Sequence, residues 1–203
     1  MREGVLISET GVIKTGHLGD NSDLIPIVCN LYAKSGDVIR DVTFGKGVFW
    51  RNIDISKYDF KGTDLMDGID FCALPDIDRT IDILVLDPPY MHGGATVKKS
   101  INDCYQNQND SHESVIRLYA KGFLEAARVL KKKGLIWVKT QDEIESGKQR
   151  FSHLELMRLL EIFGFEIIDL FVLVGKTTPA MRENYQKSAR KNHSYLIIAK
   201  FKR

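Results

Sequence analysis

A carboxylate, two prolines and an aromatic ring follow a short apolar run, in the order Asp87, Pro88, Pro89, Tyr90. The run 81–86 is rich in branched side chains, which is typical of a strand buried on both faces of a parallel sheet. Proline donates no ladder hydrogen bond, so the strand must end at Asp87. The carboxylate and the proline carbonyls could hold a planar amino group while the tyrosine stacks on its ring. The alternative is a strand-ending turn with a solvated Asp87 and a packed Tyr90.

A glycine turn after the predicted strand 38–44 is the second candidate site. Its pattern is DxTxGxG, carried by Asp41, Thr43, Gly45 and Gly47. A strand, a glycine turn and a helix predicted to begin at Val48 form a nucleotide-binding corner, because glycine admits a ligand close to the backbone and a helix start offers free amide hydrogens. The GxGxxG fingerprint and the GxxxxGK[ST] phosphate loop are both absent, which disfavours ATP. Taken alone, the corner is equally compatible with an ordinary glycine turn.

An acid ends the next predicted strand, 58–64, about 20 residues after the glycine turn, where α/β cofactor sites set a carboxylate against ribose hydroxyls. That acid is Asp64. Asp70 and Phe71 follow in a predicted loop or short helix. The spacing separates Asp64 from the other acids nearby, which are each expected to be solvated.

These features, in this order, resemble the S-adenosylmethionine-dependent amino-methyltransferases, the family that methylates adenine N6 or cytosine N4 in DNA. Residues 87–90 match the family's DPPY catalytic motif. Residues 41–47 are similar to its cofactor motif DPFxGxG, with Val42 and Thr43 in place of proline and phenylalanine. The resemblance spans nearly the whole chain from Asp23 onward, with the cofactor motif first. The large target-recognition domain that these enzymes often append is not expected.

The resemblance implies S-adenosylmethionine as cofactor, S-adenosylhomocysteine as product and a DNA base amino group, most readily adenine N6, as target. Asp87 and the Pro88 carbonyl would hold that amino group, Pro89 would complete the turn and Tyr90 would stack on the base. Such a base must leave its duplex or come from a single strand. The residues implied for cofactor binding are Asp41, Thr43, Gly45, Gly47, Asp64, Asp70 and Phe71.

The remaining pattern predicts one α/β methyltransferase domain over residues 1–203, with 1–20 as a lead-in segment. Helices are predicted near 23–35, 112–130 and 152–163, and the run 131–133 with Gly134 is expected to close the second helix. Strands 165–174 and 194–199 follow one another without a helix, which predicts an antiparallel hairpin. With the resemblance, this gives a Rossmann-like seven-stranded sheet, mostly parallel with an antiparallel C-terminal hairpin and helices on both faces.

Three polar loops are predicted at the same sheet edge: 91–111, 140–150 and 176–192. Basic side chains with an interleaved aromatic residue suit phosphate contacts and base stacking, although any single charge could lie on a solvated surface. The last loop holds the most specific cluster. The candidate nucleic-acid-binding residues are Lys98, Lys99, Lys176, Arg182, Tyr185, Lys187, Arg190 and Lys191.

The composition is typical of a soluble globular protein, with 43% hydrophobic and 28% charged residues. The three cysteines, Cys29, Cys72 and Cys104, are too widely spaced for a CxxC metal site or a disulfide framework, so no metal is expected. Neither a membrane-spanning stretch nor the apolar core of a signal peptide is present, and we expect a cytoplasmic protein.

Two further functions stay open at this stage. Small enzymes that methylate guanine in ribosomal RNA also carry DPPY-like turns and lack large recognition domains, which makes structured RNA an alternative substrate. The departure at Val42 and Thr43 favours a third hypothesis, a non-catalytic methyltransferase-like subunit that binds nucleic acid or a partner protein.

Overall fold

The computed structural model describes residues 12–89, 111–176, 189 and 191–203. Its strands are β1 (Gly16–Leu18), β2 (Val38–Asp41), β3 (Asp59–Gly62), β4 (Ile81–Leu86), β5 (Leu130–Thr140), β6 (Glu143–Glu145), β7 (Lys148–Arg150), β8 (Phe165–Val174) and β9 (His193–Phe201). Its α-helices are α1 (Asn21–Tyr32), α2 (His112–Val129) and α3 (Ser152–Ile162). None of the helices in these residues combines the length and the apolar character needed to cross a membrane.

Seven of the strands form one sheet in the order β1-β8-β9-β5-β4-β2-β3. β9 pairs antiparallel with both β5 and β8, and the remaining pairs in this sheet are parallel. The predicted mostly parallel sheet with an antiparallel C-terminal hairpin is therefore confirmed. β1, from the predicted lead-in segment, adds a parallel strand beside β8 at the edge of the sheet.

Helices cover both faces of the sheet, because side chains alternate between the faces along each central strand. In β4, Leu84 and Leu86 point into the core that α2 and α3 cover. Ile83 and Val85 point into the opposite core, which α1 covers. The continuous apolar run of β4 is thus explained by burial on both sides.

The prediction of a helix from Val48 is wrong. Only a short 3₁₀ turn, Val48–Trp50, follows the glycine corner. Phe49 and Trp50 are neighbours in sequence and are both buried, at 7% and 5% exposure. Trp50 also donates from Nε1 to Oδ2 of Asp41 at 2.7 Å, which holds the turn against the end of β2.

The segment 140–150 is an ordered hairpin of β6 and β7, where a polar loop was predicted. Ser146 and Gly147 form its two-residue connection, and both have positive φ angles of 48° and 78°. That geometry matches the right-handed twist of the flanking strands. The lysine run also differs from expectation: α2 ends at Val129, and residues 131–133 lie in β5.

Candidate active site

The register of the central strands brings four polar residues into one row at the carboxyl edge of the sheet. Leu86 at the end of β4 pairs with Val138 of β5. Asp87, the residue after β4, therefore lies level with Lys139 near the end of β5. The registers of β2 with β4 and with β3 set Thr43 and Asp64 in the same row. Because ligands of open α/β sheets bind outside the carboxyl ends of the strands, this row is the candidate active site.

Thr43 joins the glycine corner to the proline turn. Its Oγ1 accepts a hydrogen bond of 2.7 Å from the backbone N–H of Asp87. Val42, its neighbour, is 2% exposed and packs in the core beneath the sheet. The two residues that depart from the family's cofactor motif therefore have defined roles: Val42 fills the core and Thr43 holds the turn that carries Asp87.

Replacing Thr43 by valine should loosen this turn. The Asp87 N–H would lose its acceptor, which costs about 1–3 kcal/mol when the donor stays shielded from water. If the displaced carboxylate no longer meets its substrate, the rate falls about tenfold for each 1.4 kcal/mol lost from the transition state. Urea unfolding and single-turnover methyl transfer measure the two effects. Thr43→Ser keeps the hydroxyl and should behave like the unaltered protein; a Thr43→Val protein with unchanged stability and rate would refute the role.

Asp41 is a buried carboxylate at the end of β2, with 3% exposure. Its Oδ2 accepts a hydrogen bond of 2.7 Å from Trp50 Nε1, and its Oδ1 accepts one of 3.1 Å from the backbone of Thr43. Burial raises the pKa of Asp41 to about 7, although these hydrogen bonds lower it. The negative charge of Asp87 adds to the increase. Two carboxyl groups therefore influence each other beneath the candidate site.

Asp87 presents an unused hydrogen-bond acceptor. Its Oδ1 is buried and has no hydrogen-bond partner within the described part of the chain. Burial raises the pKa of Asp87 to about 6, and the positive charge of Lys139 opposes that increase. A buried acceptor without a donor is costly, so this oxygen is available for an N–H group of a ligand. Pro88, which follows, is buried, and Pro89 is partly exposed.

The glycine corner uses backbone conformations that favour glycine. Gly45 and Gly47 have φ angles of 51° and 65°. A Cβ atom on Gly47 would lie 2.6 Å from Cζ of Phe44. Asp64, 7% exposed, closes the corner: its Oδ2 accepts from Gly45 N at 3.0 Å and its Oδ1 accepts from Met66 N at 3.2 Å. Each carboxylate oxygen keeps a second lone pair for a ligand.

The other predicted cofactor residues lie beside this corner in different environments. Asp70 is exposed and accepts a hydrogen bond of 2.8 Å from the backbone of Cys72. Phe71 is partly buried and packs against α2, where a Cβ on Gly122 would lie 3.0 Å from its ring and 3.1 Å from Leu86. Phe71 therefore lies close to the end of the strand that leads to Asp87.

Two of the candidate nucleic-acid-binding residues lie within the described part of the chain. Lys176 is exposed, and its Nζ lies 3.7 Å from Oδ2 of Asp23, which places it at the start of α1. Lys191 is partly exposed. The remaining candidates lie outside the described residues; they are Lys98, Lys99, Arg182, Tyr185, Lys187 and Arg190, together with the predicted base-stacking residue Tyr90.

The sequence analysis did not single out Lys139. This lysine is 2% exposed, and its Nζ donates a hydrogen bond of 2.6 Å to Oγ of Ser194 on β9. A signal was present, since Lys139 follows the apolar run 135–138 much as Asp87 follows its own strand. A charged residue at the end of a buried strand is expected at a ligand-binding edge.

A network of histidines and acids borders the site beyond the end of β5. The buried His112, at the start of α2, lies with Nδ1 2.9 Å from Oε1 of Glu143. His153 of α3 lies with Nδ1 2.7 Å from Oδ1 of Asp142, and its ring stacks on Tyr195 at 4.1 Å. These contacts attach Glu143 of the β6–β7 hairpin to α2, and Asp142, which precedes the hairpin, to α3. The edge around Lys139 is therefore tightly packed.

No protein-family model matches this sequence, and no curated protein matches it either. Solved structures do match the fold. TrmN from Thermus thermophilus is 15% identical, with a TM-score of 0.54 over 88% of this chain and 48% of its own. The likeness is one of fold: a Rossmann-like, mostly parallel seven-stranded sheet. In this chain the sheet ends in the antiparallel pairing of β9 with β5 and β8.

Two other similar structures belong to proteins that are described with different activities. The [4+2]-cyclase SpnF is 15% identical, with a TM-score of 0.50 over 89% of this chain and 80% of its own. TTHA0409 of Thermus thermophilus, a candidate DNA modification methylase, is 12% identical, with a TM-score of 0.42 over 82% of this chain; this chain spans about half, 53%, of its length. Because one fold hosts several reactions, the function must be argued from the site.

Proposed function

We propose that this chain is an S-adenosylmethionine-dependent methyltransferase that acts on the exocyclic amino group of a base in DNA, with adenine N6 as the target. The observation that carries the proposal is the unpartnered, buried Oδ1 of Asp87 at the end of β4. It lies in one row with Thr43 and Asp64 of the predicted cofactor corner. An acceptor placed there suits an amino group that is brought next to a bound cofactor.

The residues of the corner fit S-adenosylmethionine. That molecule, when bound, supplies an electrophilic methyl group on a positively charged sulfonium. The buried carboxyls of Asp41 and Asp87 influence each other's charge, and a cationic ligand favours their ionised forms. Asp64 would hold the ribose hydroxyls with its second lone pairs. Asp70 and Phe71 would then lie near the adenine.

The chain's own residues would prepare the amino group. An exocyclic amino nitrogen is a weak nucleophile, because its lone pair is delocalised into the ring of the base. Hydrogen bonds from its N–H groups to Asp87 and to the Pro88 carbonyl would favour a tetrahedral nitrogen and fix its direction. Tyr90 would stack on the base and offset part of the unstacking cost. Asp87, as the acceptor of an N–H, would take the proton that the methylated nitrogen releases.

A covalent route through cysteine is disfavoured in the described residues. Burial raises the pKa of Cys29 and of Cys72 to about 12, so both thiols stay protonated at neutral pH. A thiol in that form is a poor nucleophile. This agrees with direct attack by the amino nitrogen.

The proposed DNA contact rests on the basic loop that begins at Lys176. Phosphate contacts position a nucleic acid without reading its sequence, and they weaken as salt rises. Lys176 lies at the start of α1, beside the carboxyl edge that carries Asp87. The loop would hold the strand while the base enters the site.

Mass spectrometry of nucleosides tests the proposal. The protein is incubated with labelled S-adenosylmethionine and either DNA or RNA, and the nucleic acid is then digested. We expect labelled N6-methyladenine from DNA. Methyl acceptance that survives DNase but not RNase would replace DNA by structured RNA. Calorimetry that detects no cofactor binding at millimolar concentration would favour the non-catalytic subunit.

A further inference from the structure

Lys139 is a buried lysine to which the proposed function assigns no role. It lies at the end of β5 with 2% exposure, and burying an ammonium is costly unless it is paired. Its Nζ donates to the neutral hydroxyl of Ser194 at 2.6 Å. Its own carbonyl accepts a hydrogen bond of 2.6 Å from the hydroxyl of Tyr119, which holds the backbone in place. The position of this ammonium is therefore closely determined.

The charge that faces Lys139 belongs to Asp87. The two residues are level in the β4–β5 register. The Lys139 charge opposes the burial that raises the pKa of Asp87, and the Asp87 charge opposes the burial that lowers the pKa of Lys139. The ammonium makes no direct hydrogen bond to the carboxylate: Nζ donates to Ser194, and Oδ1 of Asp87 has no partner among the described residues.

We propose that Lys139 is a positioning residue, whose buried ammonium keeps the Asp87 carboxylate charged and directed at the amino group of the substrate. The proposal rests on the proposed function, which gives Asp87 its role. Because the ammonium acts through its charge and not through a direct hydrogen bond, the carboxylate keeps its acceptor sites for the substrate. A direct salt bridge would occupy one of them.

The other groups near Asp87 sharpen the expectation. Asp41, from β2, carries a charge of the same sign and interacts unfavourably with Asp87 when both are ionised. Thr43 contributes a neutral hydroxyl beside Asp87, and Ser194 contributes one beside Lys139. Within the described residues, Lys139 is the cation whose charge acts on Asp87. Without Lys139, the carboxyl groups of Asp41 and Asp87 would have no cation beside them among the described residues. Asp87 would then keep its proton to a higher pH.

Nuclear magnetic resonance titration tests the charge coupling directly. In full-length protein with ¹³C-labelled aspartate, Asp87→Asn assigns the Asp87 signal, whose midpoint we expect near pH 6. In Lys139→Met that midpoint should rise by about one pH unit or more, since a nearby opposite charge typically lowers a carboxyl pKa by 1–3 units. The acid limb of single-turnover methyl transfer should move by the same amount. An unchanged midpoint overturns the proposal.

Matched variants separate charge from packing. Lys200→Met removes a lysine of β9 whose Nζ lies 3.0 Å from Oε2 of Glu166, and it should leave the Asp87 midpoint unchanged. Ser194→Ala removes the hydroxyl but keeps the ammonium, so the midpoint should again stay near pH 6. A shift in Lys200→Met as large as that in Lys139→Met would overturn the specific role of Lys139.

A measurement on the unaltered protein covers the case in which Lys139→Met does not fold. The Cε signal of Lys139 should show an inflection at the Asp87 midpoint, because titration of one group changes the field at the other. Absence of that inflection overturns the proposal. These titrations need neither nucleic acid nor cofactor. A shifted Asp87 without methylation of any nucleic acid refutes the proposed function alone, whereas methylation with an unshifted Asp87 refutes the positioning role alone.

Discussion

Asp87→Ala is expected to lower the rate of methyl transfer by about 10²–10³-fold or more, the range seen when one preorganised group is removed from an active site. The variant removes the unpartnered acceptor at the end of β4 and the charge that would orient the amino nitrogen. Folding should survive, because the lost carboxylate is buried and its pKa is raised, so its ionised form does not stabilise the fold at neutral pH. Single-turnover assays with labelled cofactor measure the rate.

The control for this variant lies on the same strand. Asp82, at the other end of β4, accepts a hydrogen bond of 3.0 Å from Val38 N and lies 2.7 Å from Nζ of Lys131. Asp82→Ala should lower stability and leave the rate per folded molecule unchanged. Asp87→Asn keeps the shape of the side chain and one acceptor, so it should fall between wild type and alanine. Full activity in Asp87→Ala would remove Asp87 from the mechanism.

Asp41→Asn should gain stability relative to the wild type as the pH rises to neutral, by up to about 4 kcal/mol at 1.36 kcal/mol for each pKa unit. The pKa of Asp41 is about 7 in the folded state, against 3.8 for the ordinary side chain. Between these values the folded protein binds a proton that the unfolded chain does not, so the stability of the wild type falls as pH rises. Asparagine resembles the protonated acid at every pH and removes that loss.

Urea unfolding of both proteins at several pH values checks this prediction. The difference in unfolding free energy should shift in favour of the variant between about pH 4 and 7 and stay constant above that range. Trp50 Nε1, which donates to Asp41 Oδ2 at 2.7 Å, can still donate to the amide oxygen of the variant, but the Thr43 N–H, which donates to Oδ1 at 3.1 Å, would face the amide NH₂ group and lose its acceptor. That loss costs about 1–3 kcal/mol at every pH, so the variant should be the less stable protein near pH 4. The same variant should bind S-adenosylmethionine more weakly, because a charge that favours a cation is gone. A pH-independent difference would contradict the buried, titrating Asp41.

Local patterns in the sequence predicted the individual elements around the site. The apolar run that ends in Asp87 and the two prolines specified β4 and its end, because proline cannot continue a ladder. The turn that ends β2 was predicted from its glycines, and Gly45 and Gly47 there have positive φ angles. The resemblance supplied the cofactor and target hypotheses, and the sheet with its antiparallel hairpin was confirmed. The helix predicted from Val48 was wrong: a short 3₁₀ turn stands there, and Trp50 in it donates a hydrogen bond to Asp41 that the local pattern does not reveal.

Only the tertiary structure decided how the elements meet. The row of Asp64, Thr43, Asp87 and Lys139 depends on the register of four strands that are far apart in sequence. A strand's own pattern specifies which faces are buried, but pairing with non-consecutive neighbours sets which strand ends lie level. The burial of Lys139 and its charge coupling to Asp87 arise from that pairing. The sequence by itself therefore determined the candidate chemistry and the fold class, and the sheet register determined which residues can act together.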